Sequence, residues 1–381
     1  MNTSALSKSK YAVVGAGLMG RLIAVTLAQG GAQVDVFDQG KPDATGAAAR
    51  IAAAMLAPLA ESAITEDNVV RMGIHSLPRW KELIEQLAKP VFFQQDGTLI
   101  LWHRQDAAEA ERFSQHLEKN CLHNPQLPLP KKLTNHELRH LEAGVADRFT
   151  QGLYLPHEGQ LDNRQLLDAL LYELSVLKVN CHWNSQIDPA SLREKHGYQF
   201  VIDCRGTGAT AAWANDANSL RGVRGEVIRL YAPEVKLHRP TRLIHPRYPI
   251  YIAPKENDVY VVGATEIESD DLSEMSVRSA MELLSAVYTV HSGFAEARIL
   301  EMATQCRPTL KNNLPQIRVQ KDLGLADLIM INGLYRHGFM ISPAILDCAL
   351  ELIEQGHSNS ALDLGLSIVY QASNSEVGVC A

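Results

Sequence analysis

After its first lysine, the segment 10–14 (KYAVV) is an unbroken apolar run, and it leads straight into a glycine-rich turn, Gly15-Ala-Gly17-Leu-Met-Gly20. From 18 to 29 apolar positions recur at helical spacing, and Gly30-Gly31 follows, where a left-handed helix end is easily adopted. Residues 33–38 (QVDVFD) alternate with a period of two, which predicts a second strand. Strand, glycine turn, helix and strand make a β-α-β unit, joined right-handedly in a parallel sheet. The stretch 47–60 is dominated by alanine and suits close helix packing or close approach to a ligand. Helical spacing over 67–87 predicts a helix that breaks or restarts at Pro78. Residues 90–102 read as a hairpin turning at Asp96-Gly97.

Further along, 105–148 is charged, helical and loop-like, and 162–176 is a helix opened by Asp162 or Asn163. Residues 198–204 (YQFVIDC) predict a buried strand, and 222–264 turns to β throughout. A helix at 276–291, β structure at 297–302, a strand at 325–332 and a helix at 341–354 complete the pattern. A β-α-β opening, a β-rich middle and a returning strand and helix predict two interleaved domains. The last strand and helix are expected to rejoin the first sheet.

Composition narrows the function. A length of 381 residues alone allows two or three domains, at about 150 residues each. The formal charge of −7 supplies no basic field for a polyanion, so nucleic acid is set aside as a partner. The six cysteines are scattered without a C-x-x-C pair, which fits reduced thiols rather than a disulfide framework or a zinc site, and no metal is expected. Residues 8–20 superficially resemble a secretory signal, but Arg21 and three glycines interrupt it, and no apolar run reaches the ~18 residues of a membrane span. A soluble, cytoplasmic protein is expected.

The Gly15, Gly17 and Gly20 spacing sits between a strand and a helix, the context its chemistry requires. The first glycine permits the turn, the second lets backbone approach a pyrophosphate, and the third lets helix and strand pack closely. Leu18 and Met19 would open the helix at the phosphate. Asp38 ends the second strand, where a carboxylate can accept ribose hydroxyls. Dinucleotide binding follows, though the motif does not separate NAD from the adenylate half of FAD. The turn at 205–208, containing Gly206, is either a second contact with the cofactor or a plain β-turn. Arg307 and Arg336 lie near strand ends, and arginine's rigid fork suits a small carboxylate. Tyr251 is either a cavity hydroxyl or a satisfied core tyrosine.

The stretches YAVVGAGLMG, AAARIAAAMLAPLAE, VRGEVIRLYAP, PIYIAPK with VYVVGAT, CRPTLKNNLPQI and GLYRHGFMISPA occur in this order across nearly the whole chain. Together they resemble the D-amino-acid oxidase superfamily of flavoenzymes, in its glycine oxidase branch. The resemblance implies an α/β fold with a Rossmann-like FAD-binding domain, interleaved with an α+β substrate domain built on an antiparallel sheet. FAD-binding segments are expected at 1–88, 145–221 and 300–372, substrate-domain segments at 89–144 and 222–299, and a tail at 373–381. It implies that Arg307 grips the substrate carboxylate, that Tyr251 hydrogen-bonds it, and that Arg336 is a second active-site arginine. It further implies flavin contacts from Ala53, Ala54, Met55, Leu56, Gly206, Arg336, His337, Gly338, Phe339 and Met340, with Met55, Ala57 and Pro58 lining the substrate pocket.

Three departures stand out. Asp38 replaces the more common glutamate, and Ala54 replaces a glycine. Cys306 falls where related enzymes link the flavin covalently. The sequence after Cys306 follows the glycine oxidase form, so non-covalent FAD is expected, with a thioether through Cys306 as the lesser alternative. The implied reaction is oxidative deamination of glycine and similar small amines with O2, giving ammonia and hydrogen peroxide. The imine would serve thiazole formation, with hand-off to a thiazole synthase and a homo-oligomer both compatible. Alternatives are oxidation of sarcosine, a D-amino acid or a cyclic amine, a dehydrogenase version, a non-catalytic flavin-binding subunit, and an NAD-dependent dehydrogenase.

Overall fold

Alternation along three apolar strands builds the first layer. In Lys10–Val14, Tyr11 and Val13 enter one core while Ala12 and Val14 enter another. Phe200–Asp203 and Asp327–Asn332 do the same, as strands buried on both faces must. The computed structural model describes residues 9–194, 197–214, 217–244 and 250–371; the tail expected at 373–381 lies outside them. Its first sheet has seven strands in the order Ser367–Gln371, Gln316–Gln320, Asp327–Asn332, Phe200–Asp203, Lys10–Val14, Gln33–Phe37 and Asn180–His182. All neighbours pair in parallel except Gln316–Gln320 with Asp327–Asn332. Helices Leu18–Gln29, Asn163–Val176 and Gly338–Gln355 contribute to the core on one face.

The second sheet has eight strands, from Arg298–Leu310 through Leu220–Tyr231, Val259–Gly263, Ile250–Pro254, Thr241–Leu243, Thr98–Leu101 and Gln151–Leu155 to Lys131–Thr134. It is antiparallel except where Thr241–Leu243 meets Thr98–Leu101. Alternation again sorts its two faces. Ile228, Ile252 and Val262 pack with helix Val277–Val290, whereas Val227, Ala253 and Val261 pack with Ala53 and Met55. The second face is turned toward the nucleotide half. A three-stranded sheet of Met55–Leu56, Gly159–Leu161 and Phe93–Gln94 bridges the layers.

Several expectations are corrected. Pro78 does not break its helix, which runs unbroken over Asp67–Glu85. One absent N–H is outweighed by burial of Leu77 and Trp80, the latter donating from Nε1 to the Phe339 carbonyl at 2.7 Å. The segment 90–102 is no hairpin: Phe93–Gln94 pairs with Gly159–Leu161, while Thr98–Leu101 pairs in the eight-stranded sheet. Gly97, at φ +81°, supplies the turn, but the turn carries the chain between sheets. Strand Gln151–Leu155 and all but the first two residues of strand Arg298–Leu310 fall in ranges assigned to the nucleotide half, yet both pair in the antiparallel sheet. The helix expected at 341–354 opens three residues earlier, at Gly338.

Candidate active site

The two sheets meet across a single cavity of about 390 Å³. Its floor is the glycine turn. A Cβ on Gly15 (φ +96°) would lie 2.6 Å from the Cys204 carbonyl oxygen, and one on Gly20 would lie 1.8 Å from the Gly15 oxygen. Gly17 differs: a Cβ there meets only the Ala47 methyl, at 3.8 Å. Helix Leu18–Gln29 therefore presents an N-terminus without a side-chain cap to open space. The second long helix, Gly338–Gln355, also starts at the cavity without a side-chain cap. Two uncapped helix ends on one cavity are complementary to the pyrophosphate and to the electron-rich edge of a flavin. Behind the turn, the fully buried Arg21 donates to the carbonyls of Ala16, Pro42 and Leu167, which braces the loop from below. In the sequence Arg21 reads only as an interruption.

Asp38 stands at the mouth, its Oδ2 accepting from Ala16 N at 2.6 Å and its Oδ1 from Gly40 N at 2.7 Å. Each carboxylate oxygen keeps a lone pair for a ribose hydroxyl. The cavity is also lined by Gly15, Gly17, Leu18, Met19, Ala53, Ala54, Met55, Ala57, Gly206, His337, Gly338, Phe339 and Met340. Three expected residues do not line it. Gly20 lies in the first turn of its helix, turned toward Gly15 and Val13, Leu56 is wholly core, and Pro58 starts the short helix Pro58–Glu61. Ala54 adopts φ +53°, the left-handed conformation in which a glycine would be unstrained. Behind it, Lys255 donates to the carbonyls of Ala53 (2.8 Å) and Leu161 (2.7 Å) and to Gln160 Oε1 (3.0 Å).

Arg307 and Tyr251 project from the antiparallel sheet into this cavity. The guanidinium lies across Gly225, where an added Cβ would stand 2.6 Å from its Cζ. It donates to the carbonyls of Thr265 (3.2 Å) and Arg224 (3.4 Å), and among the described residues no carboxylate pairs with it. Tyr251 is seated in the same way, its hydroxyl 2.5 Å from where a Gly263 Cβ would be. Burial raises the Tyr251 pKa, and the nearby Arg307 and Arg242 offset part of that rise. The phenol therefore keeps its proton and can donate it to an anion.

Arg336 lines the cavity but is ion-paired on both sides. Its Nε lies 3.2 Å from Glu61 Oε2, and its Nη1 3.1 Å from Glu266 Oε2. Glu61 also takes Arg242 Nη2 at 2.8 Å and His337 Nε2 at 3.1 Å. Burial opposes ionisation of Glu61, yet Arg336, Arg242 and His337 outweigh it and hold the carboxyl well below the usual range. His337 is shifted down chiefly by burial, with Glu61 pulling the other way. Sequence patterning missed this network. Glu61 closes the AAARIAAAMLAPLAE stretch and Arg242 sits between Thr241 and Leu243, but nothing in their spacing reveals that they meet.

Cys306 is buried with its Sγ toward the carbonyls of Ser269 (3.4 Å) and Asp271 (3.7 Å). Burial and the neighbouring Asp270 push its thiol up, away from thiolate. Among the described residues no cluster of three metal-ligating side chains occurs, and no helix is long and apolar enough to cross a membrane.

A Rossmann-like sheet, two helix ends on one cavity and an antiparallel sheet closing over it define a flavoenzyme of the oxidoreductase class. The chain belongs to the FAD dependent oxidoreductase (DAO) family, whose model matches residues 10–351. It is 34% identical over 337 residues to a putative thiamine biosynthesis oxidoreductase, ThiO, of Rhizobium etli, covering 87% of this chain and 93% of that one. It is 25% identical to a bifunctional ThiO/ThiG protein of Trichormus variabilis, over 92% of this chain and 53% of that longer one. A solved glycine oxidase of Bacillus cereus shares the fold at a TM-score of 0.77 and 20% identity, covering 93% of this chain and 98% of that structure. The protein is an FAD-dependent oxidoreductase.

Proposed function

We propose that the enzyme oxidatively deaminates a small α-amino acid, glycine foremost. The observation that carries this reading is Arg307, a cavity arginine laid across Gly225 and bonded only to carbonyls among the described residues. Among the cavity arginines of the described residues it is the one without a carboxylate partner, so its fork can take a substrate's. Tyr251 donates its phenolic proton to the same carboxylate. Together they fix the α-carbon in one place, and that positioning supplies most of the catalysis. Bound FAD supplies the acceptor for the hydride leaving the α-carbon. Ala53, Ala54, Met55 and Ala57 line the cavity, and Met55 and Ala57 set the room for the side chain.

Overall, glycine, O2 and water give glyoxylate, ammonia and hydrogen peroxide. The imine precedes hydrolysis, and the likeness to ThiO and ThiO/ThiG proteins supports its use in thiamine thiazole formation, with hand-off to a thiazole synthase. FAD is held without a covalent link, because the Cys306 sulfur donates toward the Ser269 and Asp271 carbonyls and burial pushes its thiol up, away from thiolate. Denaturing the purified protein should release all of its yellow colour into the filtrate; colour retained on the chain would overturn this. A peroxide assay over glycine, sarcosine, D-alanine and D-proline tests the reaction. We expect peroxide with glycine at the highest kcat/KM. Substrate-dependent flavin bleaching without peroxide would make the enzyme a dehydrogenase instead.

A further inference from the structure

Four arginines line the cavity: Arg205, Arg242, Arg307 and Arg336. Arg205 is closed onto Asp203 by two hydrogen bonds, of 2.9 and 2.8 Å. Arg242 is paired with Glu61, and Arg336 with Glu61 and Glu266. At the substrate end, three arginines therefore face two glutamates, leaving one net positive charge among the described residues, and Arg307 carries it. We propose that Glu61 and Glu266 are specificity-determining residues, which cancel Arg242 and Arg336 so that the site accepts one carboxylate and discriminates against small amines bearing a second. This rests on Arg307 being the carboxylate clamp.

The pairing has the features such a filter needs. Glu61 is buried and faces cations from two separate elements, the strand Thr241–Leu243 and the turn Tyr335–His337. Glu266 is half-exposed, and it holds Arg336 from the other side while accepting from the Tyr335 hydroxyl at 2.5 Å. A second carboxylate entering the cavity meets arginines whose charge is already paired and glutamates of its own sign. Arg242 also has a buried Nε without a partner among the described residues. Once Glu61 loses its charge, Arg242 has donors ready for an anion. A cavity that would otherwise bind dicarboxylates is thereby restricted to one acid group.

The test compares acetate with malonate, probes that differ by one carboxylate, binding to the FAD-loaded enzyme by calorimetry. In wild type, malonate should bind no tighter than acetate beyond the about twofold statistical gain of its second carboxylate. In Glu61→Gln, the malonate-to-acetate preference should rise about tenfold or more. Glu266→Gln frees only one side of Arg336 and lies nearer the surface; it should raise the preference about threefold. It decides the matter if the buried substitution fails to fold. An unchanged preference in the folded variants, or a wild type already preferring malonate about tenfold, would overturn the inference. Arg307→Ala separates the two readings. Loss of acetate binding there leaves the clamp intact as a premise, whereas undiminished acetate binding refutes the clamp itself.

Discussion

Two glycines seat the two side chains that face the proposed substrate. Gly225 lies beneath the Arg307 guanidinium and Gly263 beneath the Tyr251 hydroxyl, and a methyl at either would collide with its occupant. Gly225→Ala should therefore raise the glycine KM about tenfold or more with little change in melting temperature, since the fork must move by about an ångström. Steady-state kinetics beside a thermal melt read this, and wild-type kinetics would refute it. Ala54, at φ +53°, makes the opposite case. Left-handed alanine costs about 1–2 kcal/mol, partly offset by the flexibility that glycine adds to the unfolded chain. Ala54→Gly should thus stabilise the protein by about 0.5–1 kcal/mol in a denaturant melt; destabilisation would contradict the strain. That Gly15, Gly17, Asp38, Ala54 and Arg307 line one cavity was legible, because each sits in a local motif or at a strand end set by the β-α-β order. Glu61, Arg242, Glu266 and the seating glycines were not, since their roles exist only across strands that the sequence does not pair.

Elements are tied together here by buried polar groups whose partners come from afar. Lys255, from strand end Pro254, satisfies acceptors on the Ala53 segment and on strand Gly159–Leu161. Lys255→Met leaves three buried acceptors unpaired and should cost about 2–4 kcal/mol, read by chemical denaturation; a loss below about 1 kcal/mol would mean the acceptors find other partners. Glu158 lies between elements too, with Oε1 accepting from Ala60 N at 2.7 Å and Oε2 unpartnered among the described residues. Burial raises its pKa from 4.5 to about 7, against the pull of Arg242 and beside the charge of Glu61. The folded state thus holds this proton where the unfolded chain has lost it. The stability this confers is full below 4.5 and is lost as pH rises to about 7, at about 1.4 kcal/mol per unit within that window. Glu158→Gln should flatten that part of the stability–pH curve, and an unaltered slope would assign it to another group. Periodicity identified most elements, but the Pro78 helix and the Asp96-Gly97 turn show its limit. Local signals were right about the residues' preferences and wrong about their use, because packing by Trp80 and pairing with distant strands overrode them.

Across the whole molecule, the nucleotide sheet gathers strands from both ends of the chain, and the antiparallel sheet closes over its cavity. The return of the late strand Asp327–Asn332 to the first sheet was legible in the order of β-α-β, β-rich and strand-helix patterns. The exact division was not, because Gln151–Leu155 and Arg298–Leu310 choose their sheet by partners far away in sequence. That second strand carries Arg307, the proposed carboxylate clamp, from the antiparallel sheet to the cavity. The global charge of −7 is thus compatible with a locally cationic site matched to one small acid.

The most direct test is anaerobic titration of the FAD-loaded protein with glycine, following the flavin's visible absorbance in wild type and in Arg307→Ala. The account predicts complete bleaching of wild type, and a shift to concentrations about a hundredfold higher when the arginine is removed. Bleaching at the same glycine concentration in both proteins would contradict it.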